Sequence, residues 1–597
     1  MNKKLPIIAC ALVVIGAAAA GALYYAYPVQ VSTFAGLTRN YFLSWSAPPG
    51  TTTTELNTAY KGVVAAAPSL PAEAPLPNTT TGDWPSYNKT LTSERYSQLS
   101  QINTKNVGKL KVLCTYDVDQ FAAFESGLIM VDNALIGTTQ FDIFSLNPAT
   151  CAENWRTHED YPPTLPPTNR GAAYMDGVLF RGTQDGRVLA YDFKTGNRVW
   201  ETTIADTKLG ESVPSAPIAW NGLVFVGNAG GDFKGGKGHM YALEAKTGKI
   251  VWEFFLVPRA EREATRGPQG VTPLNMSTWK NAAGTPVSGG GTWTSYTLDP
   301  KTGELYVPGG NPAPVFDIGA REGGNLYTDS VVVLDAKTGD YKNHFKLVPK
   351  DWHDWDVSNP PVLIQTMGGK RLMSVAPKDG HLYGFDLATN GLLYRVPVTR
   401  VENADAPFSL DKAVHFCPGS VGGAEWNSPA YDPQTNLVLI GEVEWCNTVR
   451  LGDDKKLRAA PSGQPWTGMA TLNPFGKLGH ADGNWAGWVY ATDADTGVWK
   501  WRLKSNYPIV GGMTPTAGGV VFFGDLGGNF YALDAANGQK LWGQELGGAI
   551  GGGVITYTAN GAQKVAVASG FTMIAWPTKL STAKIVVLGL DSASANQ

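Results

Sequence analysis

Apolar and polar positions alternate in short runs along this chain, and one motif recurs within the alternation. It reads Tyr-Ala-x-Asp-x-x-Thr-Gly-x-x-x-Trp, with an aromatic residue eight positions after an acidic one. Clear copies pair Asp192 with Trp200, Glu244 with Trp252, Asp493 with Trp501, and Asp534 with Trp542. Weaker copies pair Asn147 with Trp155, Asp335 with Asn343, and Asp386 with Tyr394. A fixed period of tens of residues indicates a repeat architecture.

Each copy of the motif is typical of a strand, a tight turn and a second strand. We expect the acidic residue to cap the turn amides and the tryptophan to pack on the neighbouring unit, as in the blades of a β-propeller. Most copies lie 41 to 52 residues apart, but the gaps from Glu244 to Asp335 and from Asp386 to Asp493 are about twice as long. These gaps accommodate either insertions or a blade without a recognisable motif. Seven visible copies and one hidden copy predict an all-β, eight-bladed propeller.

Composition supports this interpretation and excludes several other classes. The 597 residues include 70 Gly, 39 Pro and 19 Trp with only 17% charged residues, as many turns and aromatic packing between sheets would require. The net charge of −3 gives no electrostatic reason to expect a nucleic-acid partner. No glycine-rich phosphate motif joins a strand to a helix, and no Cys-x-x-Cys-His motif for covalent haem occurs.

The N-terminal segment differs from the rest. Lys3 and Lys4 precede an uncharged run from Leu5 to Tyr27, which is long enough for a membrane helix. We therefore predict a retained inner-membrane anchor over residues 1–30, with a cleaved signal peptide as the alternative, because Ala17–Ala20 offers cleavage sites. Either interpretation predicts a periplasmic body. Residues 31–82, rich in Pro, Thr and Ala, resemble a spacer, and 83–597 form the predicted propeller.

Cysteine usage agrees with export. Outside the N-terminal segment the chain has Cys114, Cys151, Cys417 and Cys446, an even number that is compatible with disulfides. Cys151 lies in the first motif with Cys114 shortly before it, and Cys417 and Cys446 flank one hairpin-rich segment. We predict local pairing, Cys114 with Cys151 and Cys417 with Cys446. The alternative is four buried free thiols.

A family resemblance extends over about residues 83–570. The opening Asp83-Trp84-Pro85-Ser86-Tyr87, Arg95-Tyr96-Ser97 and Gln101-Ile102-Asn103 is similar to that of the quinoprotein dehydrogenases, which use pyrroloquinoline quinone (PQQ) in an eight-bladed propeller. The four cysteines sit as in its polyvinyl-alcohol-dehydrogenase-like branch. The resemblance implies oxidation of an alcohol, polyol or sugar with PQQ and Ca²⁺. Since no haem motif is present, we expect the electrons to pass to a separate cytochrome c or to membrane ubiquinone.

The resemblance also implies a set of cofactor-binding residues. Asn169-Arg170-Gly171 resembles the segment whose arginine binds a quinone carboxylate, and Trp293, after three glycines, matches the stacking tryptophan. Lys378 matches the cation that contacts the quinone oxygens. Glu125 and Thr183 match further contacts more loosely. Glu425-Trp426 stands where the family often has Asn-Trp, so this chain adds a charge beside the pocket.

Metal-binding and catalytic residues follow from the same resemblance. Asn311 matches the asparagine ligand, and Asp232 takes the place of a glutamate ligand and is one methylene shorter. Asp356 matches the catalytic base, which also contacts the metal, with Asp354 as the competing carboxylate, and Lys378 stabilises charge on the quinone oxygen. His353 is expected to be a supporting hydrogen-bond partner.

Metal identity is predicted from a position near the base. Lanthanide-using relatives carry a second aspartate two residues after the catalytic one, where this chain has the neutral Ser358. With Asp232 and Asp356 as the carboxylates near the ion, a divalent charge is better balanced, which favours Ca²⁺. A competing hypothesis from another class is a non-catalytic propeller that serves as an envelope scaffold. Such a protein would share the repeats but would not need these pocket residues.

Overall fold

A computed structural model describes residues 42, 49–63, 79–163, 167–260, 263–272, 276–470, 475–476, 482–573 and 575–591. In this part of the chain, eight antiparallel sheets of at least four strands follow one another. The innermost strands of successive sheets contact each other, as in the ring of a propeller. The predicted all-β, eight-bladed architecture is therefore confirmed.

The first four blades follow chain order from the innermost strand outwards. Blade 1 contains Ile129–Val131, Ala134–Thr138, Asp142–Leu146 and Glu153–His158. Blade 2 contains Ala173–Met175, Val178–Gly182, Arg187–Asp192 and Arg198–Thr203. Blade 3 contains Ile218–Trp220, Leu223–Gly227, His239–Glu244 and Ile250–Phe255. Blade 4 contains Thr297–Asp299, Glu304–Pro308, Ser330–Asp335 and Tyr341–Lys346.

The next three blades continue this order. Blade 5 contains Val362–Gln365, Arg371–Val375, His381–Asp386 and Gly391–Pro397. Blade 6 contains Ala430–Asp432, Leu437–Glu444, Ala486–Asp493 and Trp499–Ser505. Blade 7 contains Thr514–Pro515, Val520–Gly524, Asn529–Asp534 and Lys540–Glu545.

Blade 8 is assembled from both ends of the propeller. Its three inner strands come late in the chain, and its outer strand comes early, so it closes the ring. The strands are Val554–Ala559, Ala562–Ser569, Lys584–Gly589 and Lys111–Asp117. This is the hidden eighth unit, and its split between the two ends explains why no continuous motif marks it.

A fifth strand, Thr52–Leu56, extends the outer edge of blade 6 and pairs antiparallel with Trp499–Ser505. The prediction of a spacer over residues 31–82 missed this strand. Its Thr54 Oγ1 donates a hydrogen bond of 2.8 Å to the Gly538 carbonyl of blade 7. The segment before the propeller therefore joins blades 6 and 7 on the outside.

Smaller elements occupy the connections. Two-stranded pairs join Lys280–Asn281 to Arg321–Glu322, Ser288–Gly289 to Pro312–Ala313, and Val414–Phe416 to Asn447–Val449. Turns of 3₁₀ helix cover Val107–Lys109, Thr207–Leu209, Met276–Thr278 and Ile318–Ala320, and an α-helix covers Asp454–Ala459. Both long gaps between motif copies are insertions between and within blades, not decayed blades.

Neighbouring blades are joined by an indole that docks on the next turn. Trp200 of blade 2 donates a hydrogen bond of 2.9 Å to the Ala245 carbonyl, directly after the acidic residue of blade 3. The same bond joins Trp155 to Phe193, Trp252 to Ala336, and Trp501 to Ala535. Each such bond contributes about 1 kcal/mol in addition to the burial of the indole. The predicted role of the repeat tryptophans is confirmed at these four interfaces.

The turn that receives the indole requires glycine. Gly248 has φ of +72°, and a Cβ there would lie 2.5 Å from a ring carbon of Trp200. A Cβ at Gly538 would likewise lie 2.5 Å from a ring carbon of Trp501. The acidic residue caps this turn, since Asp192 Oδ1 accepts hydrogen bonds from the Thr195 amide and hydroxyl, both at 2.8 Å. These bonds, first among them the hydroxyl of Thr195, lower the pKa of Asp192.

Ring closure uses a disulfide at the same position. In blade 8 the strand pairing has an irregularity, after which Cys114 lies opposite Val587. Blade 2 has the same irregularity before Trp200, which lies opposite Ala190, so Cys114 occupies the position of the docking tryptophan. Its partner Cys151 follows Asn147 by four residues and has φ of +60°, which is the glycine position of the turn. Both predicted disulfides are formed, Cys114–Cys151 and Cys417–Cys446. A covalent bond thus replaces the indole–glycine contact where the ring closes.

The predicted anchor at residues 1–30 lies outside the described residues. Among those that are described, no helix combines the length and apolar character needed to cross a bilayer.

Loss of the closing disulfide should loosen the ring at one interface. For Cys114→Ser with Cys151→Ser, we expect the free energy of unfolding to fall by about 3–4 kcal/mol, since the bond closes a loop of 37 residues. Amide exchange in Lys111–Asp117 should accelerate. The control, Cys417→Ser with Cys446→Ser, should leave exchange in that strand unchanged. Equal exchange of this strand in both variants would contradict a closing role.

Candidate active site

Asp356 is the best-fixed carboxylate of the site and lies between the last strand of blade 4 and the first of blade 5. It is buried, with 3% of its surface exposed. Its Oδ1 accepts hydrogen bonds from the Asn311 backbone amide at 2.9 Å and from the Trp293 indole at 3.4 Å. Its Oδ2 lies 2.7 Å from Lys378 Nζ. Three elements therefore hold this carboxylate in one orientation.

Lys378 bridges two carboxylates. Its Nζ is 2.7 Å from Asp356 and 3.7 Å from Asp354, and its backbone amide donates to the Asp356 carbonyl at 3.0 Å. Burial alone would lower the pKa of Lys378, but the charges of Asp354 and Asp356 outweigh burial and raise this pKa well above its ordinary value. Burial, and then the charges of Asp232 and Asp356, raise the pKa of Asp354, although Lys378 opposes the shift. Lys378 is thus a fixed ammonium.

Asn311 and Asp232 lie beside this pair. The Asn311 side-chain amide donates to Asp232 Oδ1 at 3.0 Å and to the Pro312 carbonyl at 3.2 Å. Both bonds use its nitrogen, so its side-chain oxygen remains available as a ligand. The Asp232 side chain is exposed to solvent. The groups packed around the Asp232 carboxyl reduce its hydration, and this effect, followed by the charge of Asp356, raises the pKa of Asp232.

A glycine turn makes room for Asp356. A Cβ on Gly310 would lie 2.6 Å from Asp356 Oδ1 and 2.6 Å from the Gly291 carbonyl oxygen. The Gly310 amide donates to that carbonyl at 2.9 Å, which connects this turn to the loop that carries Trp293. Gly289 and Gly290 have φ of +121° and +72°, a region that favours glycine. The glycines thus let the loops of blades 3 and 4 approach closely.

Arg170 lies in an aromatic and acidic pocket. Its guanidinium carbon is 4.7 Å from the Trp293 ring centroid and 5.0 Å from that of Trp426. Its Nη2 donates to Glu125 Oε2 at 2.8 Å, and this ion pair is buried. Arg170 Nε and Glu125 Oε1 have no hydrogen-bond partner among the described residues. Two buried polar atoms therefore remain available to a ligand beside Trp293.

Glu425 brings a further acid to the same pocket. It is 5% exposed, and its Oε1 has no hydrogen-bond partner in the described chain. Burial raises the pKa of Glu425 to about 8, with Asp356 and Glu125 adding to the shift and Lys378 and Arg170 opposing it. The next residue, Trp426, is fully buried and donates to the Gly551 carbonyl at 2.6 Å. Trp426 is thus a fixed wall, and Glu425 is mainly protonated at neutral pH.

Two residues singled out in the sequence have local roles. The Thr183 hydroxyl donates to Asp185 and to the Arg187 carbonyl, so it is occupied in a turn of blade 2. His353 stacks on Trp355, with ring centroids 4.0 Å apart, and neither of its ring nitrogens has a hydrogen-bond partner among the described residues. Burial lowers the pKa of His353 to about 3. The expectation that His353 is a hydrogen-bond partner is wrong, because it is a neutral packing residue.

Sequence reasoning missed part of the site. It counted Asp232 and Asp356 as the carboxylates near the metal, whereas Asp354 also lies beside Lys378. It also missed an aromatic cluster in which Trp445, Trp485 and Trp576 pack in the same group as Trp426 and, at its edge, Trp293. These tryptophans lie outside the repeat motif, and this position in the sequence was the signal that could have indicated a separate aromatic cluster.

The donor set fits both predicted cofactors. PQQ is flat and carries three carboxylates, and the pocket offers the Trp293 plane with two cations, Arg170 and Lys378, over it at 4.7 and 5.4 Å. Ca²⁺ binds oxygen ligands, and Asp232 and Asp356 both accept hydrogen bonds from Asn311, so these three oxygen-bearing side chains are neighbours. Another close group, His415 with Cys417 and Cys446, has both sulfurs in a disulfide.

An eight-bladed propeller with a buried acid–lysine pair beside a cation-covered tryptophan agrees with the quinoprotein class. The family model for the glucose/ethanol/alcohol dehydrogenase β-propeller domain, which is a PQQ family, matches residues 84–408. That range contains the site residues named above except Glu425, Trp426 and the tryptophans of the aromatic cluster, Trp445, Trp485 and Trp576. A second model, outer membrane protein assembly factor BamB, matches residues 486–584.

Known proteins that are similar to this chain support the same family. The dehydrogenase subunit of alcohol dehydrogenase (quinone) from Gluconobacter oxydans is 33% identical over 82% of this chain and 70% of its own length. Quinohemoprotein alcohol dehydrogenase ADH-IIG from Pseudomonas putida is 30% identical over 82% of this chain and 72% of its own. A solved structure of the Pseudomonas putida enzyme superposes with a TM-score of 0.77 at 26% identity, covering 85% of this chain and 80% of its own. The chain belongs to the family of PQQ-dependent quinoprotein alcohol dehydrogenases.

Gly310→Ala should misplace the base without unfolding the protein. A methyl group there would displace Asp356 or the Gly291 carbonyl, and a misplacement of about 1 Å can cost about 10²-fold in turnover. We expect that loss in a dye-linked assay, with the protein still folded at the assay temperature but with a lower melting temperature, because the Gly291 carbonyl belongs to the backbone. Gly324→Ala is the matched control, because a Cβ at Gly324 meets nothing within 4 Å. Full activity of Gly310→Ala would show that this contact does not limit the site.

Proposed function

We propose that this protein oxidises alcohols to carbonyl compounds, with PQQ and Ca²⁺ bound at the site and a separate electron acceptor. The observation that carries the proposal is the fixation of Asp356. Lys378, the Asn311 amide and the Trp293 indole all bind its carboxylate. A carboxylate held in this way is prepared to take a hydroxyl proton. Bound PQQ would supply the two-electron oxidation, which no side chain can perform.

Each pocket residue has a defined task in this proposal. Asp356 accepts the proton of the substrate hydroxyl group. Arg170 and Lys378 provide the positive charge that holds an anionic, flat ligand over Trp293. Lys378 also stabilises negative charge that develops next to Asp356. Asp354 shares Lys378 but is held by fewer groups, so we assign the base to Asp356.

Charge balance supports Ca²⁺ as the metal. With Asp354 included, the set of Asp232, Asp354, Asp356 and Lys378 still has a formal net charge of −2, which suits a divalent ion. Ser358 is fully buried and donates to the Ala424 carbonyl at 2.7 Å, so its hydroxyl is committed elsewhere. This position therefore adds no charge for a trivalent ion.

The aromatic cluster indicates what kind of alcohol binds. Trp445, Trp485 and Trp576 are buried and form an aromatic wall packed against Trp293. A sugar or polyol would leave hydroxyl groups unpaired against such a wall. We therefore favour alcohols with an apolar body over polyols.

Electron transfer and location complete the proposal. The similarity to the dehydrogenase subunit of alcohol dehydrogenase (quinone) supports the transfer of electrons to a separate cytochrome c or to membrane ubiquinone. Two disulfides suit an oxidising compartment. We propose a periplasmic protein held at the inner membrane by residues 1–30.

A scaffold role is the second candidate, since one family model of an assembly factor matches residues 486–584. That range covers parts of blades 6 to 8 and contains none of the proposed metal-binding or catalytic residues. A scaffold would have no need for the buried ion pairs of Arg170 and Lys378, whose desolvation costs stability. Oxidation is therefore the preferred function.

Reconstitution tests this function directly. The apoprotein should bind PQQ only when a divalent cation is present, because Asp232, Asn311 and Asp356 would hold the metal. Ca²⁺ should restore dye reduction with primary and secondary alcohols, and La³⁺ should not. A panel that includes polyols and aldoses defines the substrate. Equal PQQ affinity in excess chelator, or activity with La³⁺ alone, would refute the metal assignment.

Asp356→Asn should retain PQQ and metal but lose turnover by about 10²- to 10⁴-fold, because the amide cannot accept the proton. Steady-state dye reduction measures the loss, and cofactor absorbance checks occupancy. Asp354→Asn is the matched comparison, with the same change of charge on the same lysine, and it should retain most activity. An active Asp356→Asn beside an inactive Asp354→Asn would move the base to Asp354.

A further inference from the structure

Arg321 is a buried arginine that the mechanism above does not use. It is 0% exposed and lies in the connection between the second and third strands of blade 4. Within the described residues, its side chain donates hydrogen bonds to four neutral oxygens, which are the carbonyls of Pro314, Val315 and Asp351 and the side chain of Asn325. A guanidinium that is buried among neutral oxygens loses its hydration without gaining a counter-ion, so its place in the fold requires an explanation.

The hydrogen bonds of Arg321 join two segments of the chain. Two of them, from Nε at 2.8 Å and from Nη2 at 2.7 Å, go to carbonyls at the end of segment 311–315, which begins with the proposed metal ligand. A third, from Nη2 at 2.8 Å, goes to the Asp351 carbonyl at the start of segment 351–356, which ends with the proposed base. One planar group therefore holds the two segments at a fixed separation.

The same two segments meet again at the site. The Asn311 amide donates to Asp356 Oδ1 at 2.9 Å. Segment 351–356 is braced between its ends, because the Asp351 carboxylate accepts hydrogen bonds from two backbone amides of the turn, at 2.9 and 3.3 Å. A shift of either segment at Arg321 is therefore transmitted to the position of Asp356 relative to Asn311.

These contacts involve connections and not blade strands. The four oxygens that Arg321 binds lie within the connection inside blade 4 or in the one between blades 4 and 5. The guanidinium is itself held by Asn325, whose side-chain oxygen accepts from Nη1 at 3.0 Å and whose side-chain nitrogen donates to the Arg321 carbonyl at 3.1 Å. Arg321 thus fixes the loops of the site and not the ring that carries them.

We propose that Arg321 is a positioning residue that sets the distance between the metal ligand Asn311 and the base Asp356 by clamping the loops that carry them. The inference rests on the proposed function, because that function assigns the metal and the base to these loops. Arginine suits the task, since its planar group donates in several directions at once, whereas lysine is a point charge on a flexible stem. Arg321 acts through backbone carbonyls and not on the substrate.

Arg321→Lys tests the clamp, because it keeps the positive charge and loses the simultaneous contacts. We expect the affinity for Ca²⁺, measured by calorimetry on the apoprotein with PQQ present, to fall about 10- to 100-fold, as is usual when a group that orients metal ligands is lost. At saturating Ca²⁺ and PQQ, kcat should fall on the order of tenfold or more, because the base is displaced. KM for the alcohol should change little, since the alcohol pocket is not attached to these loops.

Amide exchange provides a readout that needs neither ligand nor turnover. In the apoprotein, the Asn311 amide is protected by its bond to Asp356. A peptide that covers 309–315 should therefore exchange faster in Arg321→Lys than in the wild type, while the strands of blades 1 and 8 exchange as before. A merely structural arginine would not give this local change.

Arg95→Lys is the matched control. Arg95 is 1% exposed, and its side chain also donates to neutral oxygens, which are the carbonyls of Tyr87, Met513 and Val554 and the side chain of Asn88. It holds the entry segment to the inner edges of blades 7 and 8. Its loss should lower the melting temperature without altering the affinity for Ca²⁺ or the exchange of 309–315.

A second variant keeps the test available should Arg321→Lys fail to fold. Asn325→Gly removes only the amide that orients the guanidinium, and glycine tolerates the φ of +48° at this position. The same changes should appear at smaller size. Unchanged Ca²⁺ affinity, kcat and exchange in a folded Arg321→Lys would overturn the inference alone, as would an equal loss of Ca²⁺ affinity in Arg95→Lys. A wild-type protein that binds neither Ca²⁺ nor PQQ would overturn the proposed function and, with it, the role of Arg321.

Discussion

The docking of an outer-strand indole onto the turn of the next blade is the contact on which the ring depends. It fixes both partners, because the indole must reach a carbonyl and the turn must carry no Cβ beneath the ring. Trp252 and Gly339 illustrate this, since a Cβ at Gly339 would lie 2.7 Å from the indole. Tyr394 of blade 5 keeps the requirement, since a Cβ at Gly497 would lie 2.5 Å from its ring, but an asparagine in place of the aromatic residue removes it. Blade 4 has Asn343 at that position, and the facing turn of blade 5 has Asn390 at φ of +57° instead of glycine. The turn of blade 5 therefore keeps the positive φ at this position without the close approach of an indole ring.

The same ring brings the site together at one end. Arg170, Trp293, Asn311, Asp356 and Lys378 belong to loops of blades 2 to 5 and its connections, yet they form one set of contacts. Such a cluster buries several charges, which is tolerable only because each charge has a partner of opposite sign. Asp356 with Lys378 and Glu125 with Arg170 are these pairs. A ligand that carries both carboxylates and carbonyl oxygens can share the two cations without removing them from their acids.

How far the sequence predicted this molecule depends on the range of each interaction. The blades were predictable, because the motif around Asp192 is local and repeats, and its hydrogen bonds lie within four residues. Most site residues were named through their resemblance to a family, and the structure places them in contact with one another, whereas the Thr183 hydroxyl is engaged in its own turn. Thr52–Leu56 was missed because its partner strand lies more than 400 residues later. Asp354 was considered only as a competing base, and its position beside Lys378 was not predicted, since only the folded chain shows which charges surround a side chain.

The departure from the family pattern at Glu425 becomes intelligible in this setting. Sequence comparison alone presents it as an additional negative charge beside the cofactor, which would weaken the binding of an anionic ligand. Burial raises its pKa to about 8, so the group is mainly neutral at pH 7 and adds little charge. An asparagine would be equally neutral but cannot transfer a proton. The exchange therefore leaves the charge of the pocket nearly unchanged at neutral pH, and the two side chains differ in that Glu425 carries a proton that an asparagine lacks.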